Sequence, residues 1–598
     1  MAKILQQSDG VISFDILING TKIKDVVEVI EIAIQMEVNK IASATITITD
    51  GGAMGVVNDP FTNSEGNDFI PGNEIEISLG YDNSRKPVFK GIIISQGLMV
   101  KNGKSQLVIT CKDKAVKMTK GRFNAIFQDK TDSDVILSIV GKSGLQVTID
   151  ATTQTMPVIM QYNCSDWDFV VIRAEANNMT VLTNQNNLFI KKINFNAEPK
   201  FEINATQFII DIDLILDSEE IADKYMLTAW DVKKQEKIET SVNLADGLSQ
   251  GNITAKKLSE TFDNEDSKHY SSTSLSESEL KSWGQSLANR AVLSKIQGKI
   301  AVPGTADILA GDFIHLSGFS ARFNGKAFIS KVSHVVQEGD WITTLTVGKS
   351  PQWHSSLPDV EETLASGLIS PSNGNQIAKV KKIDEDPDGN YRVLVSLPAF
   401  SGTGQDIGIW ARLAFPYATA DAGFFFFPEI GDEVILSFIN NDPRFAFITG
   451  ALYNAINKPK ETADAKNQFK SIYSKSGIKI RFDDVDKILT IETPGKNVFV
   501  LDDKNKEISV KDMSGNSVLL NDSGISMDSP KDIKITAKGN VNISATSNIT
   551  LKSNADIKVD GLNITNNAQV GFTAKGSASA EISASGQTTV KGAMVMIN

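Results

Sequence analysis

The stretch Ile525–Val559 reads ISMDSPKDIKITAKGNVNISATSNITLKSNADIKV. Apolar pairs recur in it every eight residues: Ile525/Met527, Ile533/Ile535, Val541/Ile543, Ile549/Leu551 and Ile557/Val559. Asp532, Asn540, Asn548 and Asp556 precede four of the pairs, and Ala537, Ala545 and Ser553 hold the fifth place of their units. With 41% of the chain apolar, ten such matches arise by chance about once in 10⁴ trials, so the repeat is real. A period of two inside a period of eight describes a short strand that aims alternate side chains one way and is followed by a turn. Asn and Asp suit the turn because their side chains satisfy nearby backbone groups and tolerate positive φ.

Eight residues cannot close a coil alone, since a single-chain β-solenoid uses roughly 18–25 residues per coil. Three copies around one axis supply about 24 residues per turn, within that range, and form a triangular prism. Each inward aliphatic side chain then contributes about 1.5–3 kcal/mol, and no lateral sheet edge is left open. The ten paired residues are therefore the expected trimer core of a needle, and the chain an obligate homotrimer. A single-chain antiparallel domain with accidental spacing is the bland alternative. An amyloid-like or adhesin repeat is another, although an adhesin needs an export signal and none is seen.

Composition changes after Lys458. Past Phe499 the only aromatic residue is Phe572. Upstream, residues 377–455 hold five strand-like runs, IAKVKKID, YRVLVSLP, IWARLAF, DEVILSFI and FAFITGALY, a size and number that suit an OB-type barrel. A Gly/Ser/Pro/Asn-rich linker, 361–376, precedes it. Residues 1–110 alternate apolar and polar between Asn-Gly and Gly-Gly turns, as in a barrel or sandwich. Two short helices follow, one capped by Asp132 and one by Ser165 or Asp166, and a longer helix spans about Glu277–Lys295, with Leu280, Trp283, Leu287, Ala291 and Val292 at helical spacing. The polar stretch 238–278 reads as a loop. The domain reading is thus 1–360, 361–376, 377–457 and 458–598.

The 598 residues carry 60 Lys and Arg against 72 Asp and Glu, a net charge of −12, which argues against nucleic-acid binding. Two cysteines rule out a disulfide scaffold, and four histidines leave little for a metal or histidine-based site. The amino terminus has no signal-peptide core, and no apolar run approaches the length of a membrane-spanning helix. DEDPDG (Asp384–Gly389) imitates an EF-hand start, but the twelfth place is Val395 rather than Glu, so a turn is expected. FFFF (Phe424–Phe427) reads as barrel or trimer-interface packing rather than a membrane wedge. Cys111 and Cys164 read as buried thiols, and His315 and His334 as structural. Asp166 and Asp168 flank Trp167, where helix capping explains Asp166 as well as a carboxylate pair does. No Ser-His-Asp set, P-loop or HExxH is present. No catalytic, cofactor or metal residue is assigned.

GFFFFPEIGDEVILSFINNDPRFAFITGALYNAINKP (Gly423–Pro459), with DPDGNYRVLVSLP and WARLAFPYA before it, resembles the OB domain of VgrG proteins, the spikes of type VI secretion systems. VITCKDKAVKMTKGR, TDSDVILSIVGKSGL, QYNCSDWDFVVIRAEANN and NGKAFISKVSHVVQEGDWITTLTVG resemble the hub that VgrG shares with contractile phage tails. The resemblance implies a mainly β fold of tail-hub β-barrel domains, an OB-fold barrel and a C-terminal intertwined triple-stranded β-helix (β-prism) of a homotrimer. It implies a non-enzymatic spike that caps a hexameric inner tube, sits among baseplate proteins, carries effectors and touches the target membrane transiently. An extracellular phage-tail-like particle, and a spike-borne hydrolase, are the alternatives.

The interval between Tyr453 and a needle-like strand at Ile478 is far shorter than a domain, so no hydrolase is expected between barrel and needle. The chain ends KGAMVMIN, like spikes without an appended effector, and the last histidine is His354, so no tip metal is expected. The blunt prism end exposes Ala593, Met594, Val595, Met596, Ile597 and Asn598, which the resemblance assigns to a PAAR-repeat tip protein. The expected location is the bacterial cytoplasm during assembly, with release or injection on firing and no signal peptide.

Overall fold

Alternation builds the first sheet. In Val29–Glu37, Ile32, Ile34 and Met36 turn inward, and in Ser43–Ala53 so do Ala44, Ile46 and Ile48. The latter sit opposite Cys111, Ile109 and Leu107 of Lys104–Lys112. The computed structural model describes residues 2–597 apart from 7–9, 54–60, 102, 245–247, 263–265, 361 and 401–407. Two compact units emerge, Met1–Leu452 and Tyr453–Asn598.

In the first unit, strands drawn from between residues 3 and 347 share one branched sheet of 14 strands. The branch leaves Gly325–Gln337 through Asp340–Val347 to Ile296–Pro303 and Asp211–Leu216. Gly298, with φ of +150°, lets the last two strands close up, because a Cβ there would lie 1.9 Å from the Asp213 carbonyl oxygen.

The first unit also holds helices α1 (Asp132–Lys142), α2 (Asp166–Ala176), α3 (Ala255–Ser259) and α4 (Glu277–Ser294). The cap of α1 is Thr131, in a capping box with Asp134, not Asp132. Asp132 instead accepts two hydrogen bonds from Arg173 of α2, at 2.6 and 2.8 Å. Ser165 rather than Asp166 caps α2. Glu175 of α2 is buried, and Arg290 of α4 reaches it at 2.7 Å, with Lys349 at 3.7 Å. Arg290 also stacks on Trp353. Such a pair ties elements together, but its worth depends on every buried charge being matched.

The stretch 238–278 is not a loop. Glu236–Asn243 and Asp266–Ser271 flank Lys224–Asp231 in a three-stranded sheet, and α3 lies between them in sequence. The stretch is polar because these edge strands bury only part of one face. Gly284 lets α4 lie on that sheet, since a Cβ there would meet Leu227 at 2.5 Å.

The five runs between 376 and 451 form a closed barrel, in the order 376–382, 393–396, 409–413, 446–451 and 433–438. A parallel pairing, Arg412↔Phe447, closes it. Ala378, Val380, Val393, Val395, Ala411, Val434 and Leu436 fill its interior, as alternation in a small barrel requires.

The second unit begins as an antiparallel meander of seven five-residue strands from Phe469 to Asp528. Its first strand is Phe469–Tyr473, earlier than the Ile478 start read from sequence. Tight turns between strands use positive φ at Gly477, Lys487, Lys496, Lys506, Gly515 and Gly524. Beyond Asp528 no described residue is in a strand, and none has positive φ. Asp532, Asn540, Asn548 and Asp556 therefore do not use the left-handed region that the sequence reading gave them. The bends fall on the residues just before them, and these open corners need no reversed backbone.

His334 is buried in the first unit, with Nδ1 3.0 Å from Thr343 Oγ1. Burial pushes its pKa down to about 4. The unfolded chain takes up a proton near pH 6.5 that the native ring refuses, so this contribution is full above that pH and shrinks as pH falls toward 4. Denaturant titrations are expected to show a loss of about 3 kcal/mol across that window. The His334→Gln variant is expected to lack that part of the slope.

Candidate functional site

Pairing in the meander aligns its apolar residues into two rows on one face. One row runs Ile472, Ile480, Ile491, Phe499, Val510, Val518 and Met527. The other runs Phe482, Leu489, Leu501, Ile508, Leu520 and Ile525. Cross-strand rows of this kind are where a sheet gains its side-chain energy. Here they cover nothing: no described side chain beyond Ile448 is buried. The opposite face is mixed. Glu492 there takes Lys479 and Lys496, which bring its carboxyl down to about 2, and Arg481 lies over the Phe469 ring.

The structure divides the ten expected needle-core residues. Ile525 and Met527 end the two meander rows. The other eight lie in the strandless region, all exposed. There two-residue bends begin at Pro530, Lys538, Thr546 and Asn554, eight residues apart. Leu562 bends alone, and two-residue bends resume at Gln569, Ser577, Ser585 and Ala593, again eight apart. The repeat thus continues well past Val559. Two parts of this surface escaped the sequence reading. The rows before Ile525 escaped because their apolar pairs are spaced alternately nine and ten residues apart, from Ile480/Phe482 to Val518/Leu520. The units after Leu562 escaped because their apolar positions change parity there, to Ile564, Phe572, Ile582 and Val590. Of the expected cap-binding residues, Ala593 and Met594 form the last bend, and Met594, Val595, Met596 and Ile597 are exposed. Asn598 lies outside the described residues.

Elsewhere the singled-out residues have partners of their own. Cys111 belongs to the core of the 14-stranded sheet, and burial pushes its thiol up to about 12. Cys164 packs beside α1 and α2, and burial brings it to about 11. Both are free thiols. Asp166 accepts from Gln161, while Asp168 lies 2.9 Å from His354 Nε2. Burial works against the Asp168 charge, but the hydrogen bonds from His354 and Ser165 outweigh it and hold the carboxyl below its usual range. The Asp384–Gly389 motif is a turn. Asp386 accepts from the backbone of Asp388, Asn390 and Arg392, and the Arg392 guanidinium holds its carboxyl far below the usual range. Phe427 packs on the barrel core, whereas Phe424, Phe425 and Phe426 are exposed. Among the described residues no group of three His, Cys, Asp or Glu side chains is placed to hold a metal ion.

In chain order, a closed five-stranded barrel precedes a one-sided repeat of short strands. The family model described as the type VI secretion system/phage-baseplate injector OB domain matches residues 376–453. The model described as the Alg8 N-terminal domain matches residues 8–338, more than half of the chain. The chain belongs to that family. Among curated relatives, the type VI secretion system spike protein VgrG1c of Pseudomonas aeruginosa is 26% identical over 217 residues, covering 34% of this chain and 29% of the relative. The actin cross-linking toxin VgrG1 of Vibrio cholerae is 29% identical over 105 residues, covering 18% of this chain and 9% of the relative. The chain thus spans less than a third of the length of these relatives. The 43 kDa tail protein of prophage MuSo2 from Shewanella oneidensis aligns with a TM-score of 0.44 at 9% identity, over 57% of this chain and 98% of that one. The resemblance to VgrG spikes holds, and the fold is mainly β with an OB barrel.

Replacing Phe499 by Asp puts a charge in the middle of a row, and against a second copy that covers the row it costs a burial worth about 3 kcal/mol per chain. It is expected to abolish self-association in sedimentation runs while leaving the melting of Met1–Leu452 unchanged. Ser509→Asp, on the mixed face, is expected to leave association intact.

Proposed function

We propose that this chain is a homotrimeric, non-enzymatic spike of a contractile injection machine. The observation that carries the reading is the apolar face of residues 472–527, which one chain leaves uncovered and which runs into eight-residue units of the same kind. Two further copies cover that face on all sides and complete each turn of the rod. A rod so built resists compression because its strands are cross-bonded between chains around a packed core. We assign residues 1–360 to the hub, 377–457 to the barrel and 458–598 to the needle.

In this reading the hub caps a hexameric inner tube among baseplate proteins, and the needle leads on firing and punctures the target envelope so that effectors follow. A small PAAR-type cone covers Ala593–Asn598, whose exposed Met594, Met596 and Ile597 suit an apolar partner. Assembly takes place in the bacterial cytoplasm. The names of the relatives support the spike role, and among the described residues His354 is paired with Asp168 and Asp386 is held in a turn.

Equilibrium sedimentation is expected to give three times 64.8 kDa, about 194 kDa. A stable, fully protected single chain sinks the reading. Removing the last six residues is expected to abolish binding of a PAAR-type cone and to leave that mass at its truncated equivalent. Retained binding refutes the assignment of the tip.

A further inference from the structure

The bends beyond Asp528 divide the chain into units whose last two residues turn. They are DIKITAKG (532–539), NVNISATS (540–547), NITLKSNA (548–555), then NITNNAQV (563–570), GFTAKGSA (571–578), SAEISASG (579–586) and QTTVKGAM (587–594). Between them stands DIKVDGL (556–562), with seven residues and a bend at Leu562 alone. Sequence and backbone agree on this one short unit. Its effect is visible in side-chain parity. Ile533/Ile535 to Ile557/Val559 are odd-numbered, whereas Ile564, Phe572, Ile582, Val590 and Met596 are even-numbered.

Equal units carry a hazard. In a rod of three identical chains, one chain displaced by eight residues lays each unit on an equivalent one, and nearly all apolar contacts survive. Strand register is weakly specified wherever the pattern repeats without a mark. A seven-residue unit is such a mark. If one chain slides by a unit, its short unit no longer lies beside those of its partners. The residues between the misplaced marks then have inverted parity, with apolar side chains outward and polar ones inward. Asn566 adds to the effect. It takes the fourth place of its unit, where earlier units have Ile535, Ile543, Leu551 and Val559. A single polar layer in an apolar core meets its own kind only in one alignment, as buried Asn does in coiled coils.

We infer that Asp556–Leu562, with Asn566 beside it, is the register lock of the needle: an interaction element whose partners are two further copies of this chain. The inference rests on the three-chain reading given above. It assigns a role to a departure from the repeat, because an uninterrupted octad would hold three chains together without fixing which unit meets which.

The test uses the full chain. One Ser is inserted between Gly561 and Leu562, restoring an eight-residue unit. A second variant adds to this the deletion of Asn554, which moves the short unit to 548–555. Sedimentation reports the number of chains, and hydrogen exchange with mass spectrometry follows the peptide covering 587–597. The wild type is expected to give a three-chain mass and one isotopic envelope. The insertion variant is expected to keep the mass but show a second, more exchanged envelope from chains displaced by one unit. The relocated variant is expected to return to one envelope. A three-chain insertion variant with a single envelope overturns the lock and leaves the needle intact. Should the insertion variant fail to assemble, the relocated variant decides: one envelope supports the lock, two overturn it. A wild type that sediments as one chain removes the three-chain reading itself.

Discussion

The structure depends on a sheet that cannot cover itself. The pairing of the meander collects thirteen apolar side chains on one face and offers nothing in its own unit to pack on them. In water such a face is a liability, and the only remedies are association or collapse. Tight left-handed turns stop at Gly524, and from there the chain advances by open bends instead of doubling back. A chain that no longer folds back gives up its own hydrogen-bonding neighbours. Apolar uncovering and backbone uncovering thus fall in the same unit of the chain.

The first unit is built on the opposite rule. Its sheet, its small barrel and its helices bury cores of their own, and the buried carboxylates Asp132 and Glu175 meet Arg173 and Arg290 of the same chain. Glu175, Arg290 and Lys349 show how far this goes, since three charges share one interior site between α2, α4 and the strand end that follows. Burial drives Lys349 down to about 8, which the neighbouring Arg290 reinforces and Glu175 opposes. Such a cluster fixes geometry more than it adds stability.

Much of the fold was legible because period is a local property. The five barrel strands, the position of α4 and the eight-residue repeat follow from alternation that φ and ψ impose on neighbouring residues. The candidate site was legible only where its spacing was constant. Ile480 to Leu520 belong to the same face as Ile525 and Met527, yet their spacing of nine and ten residues hides them from a search at eight. The units after Leu562 were hidden by a single missing residue, which reverses parity for the rest of the chain.

By itself the sequence determined the five barrel strands, the places of α1, α2 and α4, and that the carboxyl-terminal region repeats, but it read 238–278 as a loop and the units beyond Asp528 as strands, and neither is so. Only the tertiary structure decided which residues meet. Thr131 caps α1 because Asp132 is taken by Arg173, 41 residues away. The polar stretch at 238–278 became sheet because Lys224–Asp231 offered it two edges. The rows on the meander formed because hydrogen-bond register, not spacing, sets cross-strand neighbours. Alternation is written residue by residue, whereas pairing depends on groups far apart in the chain, and no local pattern can record it.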